Sequence, residues 1–142
     1  MKAAQQPLIE YMSPIDSYVI KGRCGSGCIS SMMSYLCDYA SKTGSAIIVC
    51  DDFELSLEEL QSNYPSCEIS TLRLEDSIVT DIRIKTLLMY LNKPVIILYR
   101  MNRFQQRISW LYHLSHMIHK FGKELSIDTK MIGYHQLPHT SN

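Results

Sequence analysis

Three glycines near the start of the chain follow an apolar stretch, in a pattern suited to binding phosphate. The stretch Tyr18–Ile20 predicts a short buried strand. Three positions after it let the backbone approach a ligand closely because they lack a Cβ atom: Gly22, Gly25 and Gly27. A continuous apolar face over residues 28–43 predicts a helix that ends at Gly44. A strand, a glycine turn and a helix N-terminus together present backbone N–H groups to an anion.

The glycine spacing is that of the P-loop, G-x-x-x-x-G-K-[ST], with Gly22 and Gly27 in the two glycine places. Cys28 stands where the lysine belongs, and Ile29 stands where a hydroxyl holds Mg²⁺. Because a charged hydrogen bond contributes roughly 1.5–3 kcal/mol, we expect weak nucleotide binding and no hydrolysis. Three interpretations stay open: a connection without a ligand, a degenerate site that keeps some phosphate affinity, and an NTPase that borrows a lysine such as Lys21.

Length and composition indicate one globular domain of the 142 residues. We divide the chain into an N-terminal arm at 1–17, a domain at 18–138 and a tail at 139–142. No run approaches 18 consecutive apolar residues, and the N-terminus lacks the pattern of a secretory signal. The five cysteines are an odd number without framework spacing, which favours reduced thiols in an intracellular protein. No cofactor and no metal site are predicted.

Charge is unevenly distributed although the formal net charge is zero. The first 98 residues carry 8 Lys/Arg and 12 Asp/Glu, whereas the remainder carries 6 and 2. The basic C-terminal third could contact DNA, contact an acidic partner, or be a solvated surface. Five candidates for such contact follow from this: Arg100, Arg103, Arg107, Lys120 and Lys123. His113, His116 and His119 lie beside the lysines, and a solvated basic face is favoured over a metal site there.

The order of predicted elements is that of an α/β protein. Apolar runs at 45–50 and 95–98 and the stretch Lys130–Gln136 predict strands, and residues 67–74 a minor one. Helices are expected from Ser56, over 76–91 and over 103–121, the last ending at Gly122. The apolar stripe of the helix at 76–91 consists of Ile78, Ile82, Leu87, Leu88 and Leu91. The apolar stripe of the helix at 103–121 consists of Phe104, Ile108, Leu111, Leu114, Ile118 and Phe121. Strands alternating with helices indicate a mainly parallel sheet covered on both faces.

With these elements in place, residues 18–138 resemble the core of the RecA-type ATPases. The strand Val95–Leu98 resembles the Walker B strand, but it continues as Tyr99-Arg100 where an aspartate should bind Mg²⁺. The strand Met131–Gln136 resembles the strand that senses the nucleotide γ-phosphate, and Gln136 keeps the sensor place. The resemblance implies a RecA-like P-loop fold, a three-layer α/β/α sandwich with a mainly parallel sheet.

The missing lysine, hydroxyl and aspartate resemble the catalytically dead RecA-fold subunits of larger assemblies. Among these are the short recombinase paralogues of Shu-type complexes. This resemblance implies a nuclear, non-catalytic subunit that acts in homologous recombination and DNA repair. Its partners would be other RecA-like paralogues in a hetero-oligomer, with single-stranded or branched DNA as a further ligand and no membrane. Two alternatives stay open: a small NTPase or kinase using Asp51 or Asp52, and a RecA-fold scaffold outside DNA metabolism, as in Elongator.

Overall fold

The structure is a computed structural model of the chain, and it describes residues 8–23, 28–50, 57–75 and 77–138. Six strands and four α-helices occur within these ranges. They are β1 (Leu8–Met12), β2 (Ser17–Arg23), α1 (Cys28–Thr43), β3 (Ala46–Cys50), α2 (Leu57–Asn63), β4 (Ile69–Leu72), α3 (Ser77–Leu91), β5 (Val95–Arg100), α4 (Ile108–Glu124) and β6 (Thr129–Leu137). Short 3₁₀ turns at Ser13–Ile15 and Met101–Phe104 precede β2 and α4.

The strands form one sheet in the order β1-β2-β6-β5-β3-β4. All neighbours are parallel except β1, which is antiparallel to β2. The predicted central strand is confirmed, because β5 lies inside the sheet with Ile96 and Ile97 almost fully buried. Its side chains alternate between the two faces, so a strand buried on both sides is apolar throughout.

Helices cover both faces, which gives an α/β arrangement of three layers. Buried side chains of α3 and α4 pack on one face of the sheet, in a core that includes Tyr99 and Met131. Those of α1 and α2 pack on the other face, in a core that includes Ile96 and Tyr134. The predicted helix at 28–43 is confirmed, and Gly44 has the positive φ of 71° expected just after a helix.

The predicted N-terminal arm at 1–17 contains a strand. Residues Leu8–Met12 pair with β2, and the 3₁₀ turn joins them, with Pro14 near its start. Asp16 closes the turn at φ 44°, and its carboxylate accepts a hydrogen bond from Tyr11 Oη at 2.7 Å. Proline fits the first turn of a helix and does not exclude a strand before it, which is why the proline spacing was misleading.

The last strand, β6, lies between β2 and β5 and is not a sheet edge. The edges of the described sheet are β1 and β4.

The predicted apolar stripe of helix α3 is wrong in the first half of the helix and confirmed in the second, where Leu88 and Leu91 are buried and Leu87 packs against the core. Ile78 and Ile82 are 71% and 63% exposed, whereas Thr80 and Ile84 are buried in this half of the helix. This helix carries apolar residues on more than one side, so the periodicity fits two different faces.

Helix α4 begins and ends later than predicted. Residues 103–107 do not belong to it, and Ile108 is 41% exposed at its start. Gly122 lies inside the helix instead of ending it, because the chain needs a close approach there. A Cβ atom on Gly122 would lie 2.6 Å from Thr129 Cγ2 and 2.8 Å from the Ile127 carbonyl oxygen.

Candidate functional site

The carboxyl ends of β2, β6 and β5 lie side by side at one edge of the sheet. Gly22, the first glycine of the turn, is in register with Gln136 on the neighbouring strand. Arg100 ends β5 on the other side of β6 and is in register with Tyr134. The sheet order thus brings Gly22, Gln136 and Arg100 together. In open α/β sheets, ligands bind at this carboxyl edge.

A hydrogen bond links the two side chains at this edge. The Arg100 guanidinium donates from Nη2 to Gln136 Oε1. The Arg100 Nε atom is buried and has no hydrogen-bond partner within the described residues. The end of β5 therefore carries a cation, Arg100, that is hydrogen-bonded to Gln136 at the end of β6. Mg²⁺ prefers oxygen ligands, usually carboxylates, and a guanidinium repels it.

Asn102 holds the end of β6 in place through two hydrogen bonds to Gln136. Its Nδ2 donates to the Gln136 carbonyl oxygen at 2.9 Å, and its Oδ1 accepts from the Gln136 backbone N–H at 2.8 Å. These bonds continue the pairing of β6 beyond the point where β5 ends. The sequence analysis missed Asn102, because an asparagine after a strand reads as an ordinary loop residue.

The glycine turn itself is described only at its two ends. Gly22 is buried at the end of β2, whereas Gly25 and Gly27 lie outside the described residues. Cys28 begins α1. Ile29 is half-buried and packs against the core on the α1 face. A packed isoleucine offers no oxygen to a metal ion. Asp51 and Asp52 also lie outside the described residues.

The five basic candidates fall into two groups at opposite ends of α4. Arg103 donates to the Leu74 carbonyl oxygen at 3.1 Å and lies 5.5 Å from the centre of the Trp110 ring. Arg107 is exposed at the start of α4. Arg103 and Arg107 both line an open groove of about 810 Å³. With Arg100, these two lie toward the carboxyl edge of the sheet.

Lys120 and Lys123 are exposed near the other end of α4. Thirteen positions separate Lys120 from Arg107, which is about 20 Å along a helix. The five cations therefore do not form one continuous patch.

The three histidines are not a uniformly solvated face, which corrects the sequence interpretation. His113 Nε2 lies 3.0 Å from Asp81 Oδ2 on α3. His119 is half-buried, with Nδ1 at 2.8 Å from Thr129 Oγ1. Only His116 is exposed. Asp81 is an acidic neighbour that the sequence spacing did not reveal. Across the described ranges, no three His, Cys, Asp or Glu side chains lie close enough to hold a metal ion.

Within the described part of the chain, none of the helices has the length and apolar character needed to cross a bilayer. Comparisons with known proteins gave no match to a family model, to a curated protein or to a solved structure.

Proposed function

We propose that this chain is a non-catalytic subunit with a RecA-like core, which acts by binding other RecA-like recombinase paralogues in homologous recombination and DNA repair. One observation carries the proposal. Arg100 follows the strand that should end in a metal-binding aspartate, and it hydrogen-bonds to Gln136 beside Gly22. The edge where a nucleotide would bind thus has a cation in the place of the metal ligand.

Two further features support the loss of catalysis. Ile29 is half-buried and packs against the core, in the place where a hydroxyl would hold Mg²⁺. Asn102 and Arg100 both engage Gln136, so this side chain and its backbone are held by the protein itself. A sensor residue that changes partner with nucleotide state needs a side chain that is free to move. The arrangement therefore favours a structural role for this edge.

The proposed function is one of assembly, in a nuclear hetero-oligomer that binds single-stranded or branched DNA. The candidate DNA contacts are the cations toward the carboxyl edge, above all the exposed Arg107. DNA affinity would belong mainly to the complex, since a single chain presents few cations on one surface and each phosphate contact adds one salt-dependent term.

The test is purification of the tagged chain from its own cells, together with deletion of its gene. We expect RecA-like paralogues to co-purify in stoichiometric amounts and the deletion strain to be sensitive to DNA-damaging agents. Stoichiometric RecA-fold partners without damage sensitivity would replace this function with a scaffold outside DNA metabolism. Micromolar, Mg²⁺-dependent ATP binding would instead favour the small NTPase or kinase.

A further inference from the structure

One face of the sheet carries an apolar groove beside α1. It has a volume of about 420 Å³ and runs between α1 and the strands β1, β2 and β6. Apolar and aromatic side chains form nearly all of its lining, among them Ile9, Tyr18, Ile20, Met32, Tyr35 and Ile132.

The strand register explains why these side chains share one face. Ile9 is paired with Ile20, and Tyr11 with Tyr18, so alternate residues of β1 and β2 point to the α1 side. The rings of Tyr11 and Tyr18 are 5.1 Å apart. Exposure remains high for Ile9 at 61%, Tyr18 at 51% and Tyr35 at 72%. Large exposed apolar surfaces usually mark interaction sites.

The spacing of the strands and the width of a helix indicate what kind of segment fits the groove. Neighbouring strands are about 4.8 Å apart, and a helix with its side chains is about 10 Å wide, so one helix covers about two strands. On this face the described residues supply α1 and α2, whose buried side chains pack with those of β3, β4, β5 and β6, and Ile20 of β2 packs against the same core. The other side chains of β1 and β2 on the same face, such as Ile9 and Tyr18, are largely exposed, with no described helix packed over them. The uncovered width is that of one further helix lying beside α1.

A lysine in the groove indicates the charge of the segment that binds there. Among the described residues that line the groove, the charged one is Lys130 at the start of β6. Its Nζ donates to Tyr39 Oη at 2.6 Å and lies 4.9 Å from the centre of the Tyr39 ring. No carboxylate of the described chain pairs with Lys130. An Asp or Glu on the bound segment would form an ion pair with Lys130, because charges across an interface are usually complementary.

We propose that this groove receives an amphipathic helix of a partner subunit, with its apolar stripe against Tyr18, Ile20 and Tyr35 and an Asp or Glu at Lys130. A helix in a groove is anchored by apolar residues at i, i+3 or i+4, and i+7. The inference rests on the proposed function in that it assigns the docking surface for the partner. An extended peptide would instead pair with the free edge of β1 and leave Tyr35 uncovered.

The first experiment places a benzophenone amino acid at Tyr35 in the full chain expressed in its own cells. The matched control places it at Tyr90, which is 79% exposed on α3, on the opposite face of the sheet. We expect a cross-link at Tyr35, and none at Tyr90, to a partner segment that forms an amphipathic helix with an acidic residue. A cross-link to an extended segment, to a second copy, to nucleic acid, or none at Tyr35, would overturn the inference.

The second experiment reverses the charge in the groove. Lys130→Glu should weaken the complex by roughly tenfold or more, because like charges at an interface are strongly unfavourable. Reversal of the partner acidic residue to Lys should restore it. Lys85→Glu is the matched control, since Lys85 also lies over an aromatic ring, that of Phe121 at 5.6 Å, but on the other face. Equal binding by Lys130→Glu and wild type would contradict the proposal.

These experiments can refute the proposed docking groove and the proposed function independently of each other. Stoichiometric RecA-like partners that cross-link only at Tyr90 would refute the groove and leave the function in place. A helix of a protein with no RecA-like core, bound at Tyr35 and dependent on Lys130, would support the groove and refute the function.

Discussion

The side chain of Tyr99 lies directly against Gly133 on the neighbouring strand. A Cβ atom on Gly133 would be 2.6 Å from Tyr99 Cζ and 2.7 Å from its hydroxyl oxygen. That hydroxyl is in turn 2.8 Å from Ser17 Oγ on β2. One buried ring therefore spans three adjacent strands, β5, β6 and β2, and Gly133 is the position that makes room for it.

Gly133→Ala should destabilise the fold, because the ring cannot move away without losing its hydrogen bond to Ser17. Overpacking of this kind costs about 1–3 kcal/mol. Chemical denaturation of the purified variant measures the loss. In a Tyr99→Leu background the same substitution should cost less, since the atoms that it meets are gone, and the double-mutant cycle gives their coupling. Equal costs in both backgrounds would show that the ring is not the cause.

Burial of Tyr99 predicts a loss of stability in alkali. Burial raises the pKa of its hydroxyl from 10.0 to about 12. Between these values the unfolded chain releases the proton while the folded chain keeps it, so stability is full below about pH 10 and falls as pH rises toward 12. Two pKa units correspond to roughly 3 kcal/mol.

The measurement compares the free energy of unfolding of wild type and Tyr99→Phe at pH 8 and at pH 11. Burial also raises the pKa of the Cys37 thiol, with the neighbouring Cys67 adding to the effect, so both proteins lose some stability in alkali. The prediction is that wild type loses more than Tyr99→Phe. An equal loss in the two proteins would mean that Tyr99 ionises as easily in the folded chain as in the unfolded one.

The central strand gives a sharp contrast with α3. Ile96→Asp or Ile97→Asp places an unpaired charge in the core and should cost well over about 4 kcal/mol. Ile82→Asp is the matched control, because Ile82 is 63% exposed and surface changes usually stay within about 0.5 kcal/mol. Yields of folded protein and thermal unfolding measure both. A stable Ile96→Asp variant would show that β5 is misplaced.

The same contrast between β5 and α3 shows which parts of the fold can be predicted from the sequence. The apolar runs of β3 and β5 and the single-sided pattern of α1 each allow one interpretation, and the structure confirms them. The first half of helix α3 allows two, because Ile78 and Ile82 compete with Ile84 for the core and only packing against the sheet decides between them. Pairing partners are likewise invisible in sequence, so the strand Leu8–Met12 was missed.

The candidate site was predictable in its parts but not in its contacts. The spacing identified Gly22 and Gln136 as two separate motif positions, and the sheet order places them in register. The hydrogen bonds of Arg100 and Asn102 to Gln136 depend on how the chain turns after β5, which is a property of the 3₁₀ turn at Met101–Phe104. No local pattern encodes it.

Nucleotide binding should be at best millimolar, with no measurable hydrolysis. Neither Cys28 nor Ile29 supplies the charge and oxygen that the P-loop uses, and Arg100 follows the strand in place of a carboxylate. Titration calorimetry with ATP and Mg²⁺ checks the affinity. Cys28→Lys alone should not restore turnover, because the metal ligand is still absent. Turnover by this single variant would mean that a carboxylate elsewhere, such as Asp51 or Asp52, already binds the metal.

The last prediction uses the separation of the basic residues along α4. Arg107 and Lys120 are both exposed and carry the same charge, but lie about 20 Å apart. If DNA crosses the carboxyl edge, Arg107→Glu should weaken DNA binding by the complex and lower the slope of log K against log salt by about one. Lys120→Glu, the matched control, should leave both unchanged.

The competing explanation is that Arg107 contacts an acidic surface of the partner. In that case Arg107→Glu would dissociate the complex, and the partner would keep its own DNA affinity. Gel filtration of the complex beside the DNA titration separates the two, because a DNA-contact variant stays assembled. An intact complex with an unchanged salt slope would show that Arg107 contacts neither, and equal losses from Arg107→Glu and Lys120→Glu would point to a general effect of net charge.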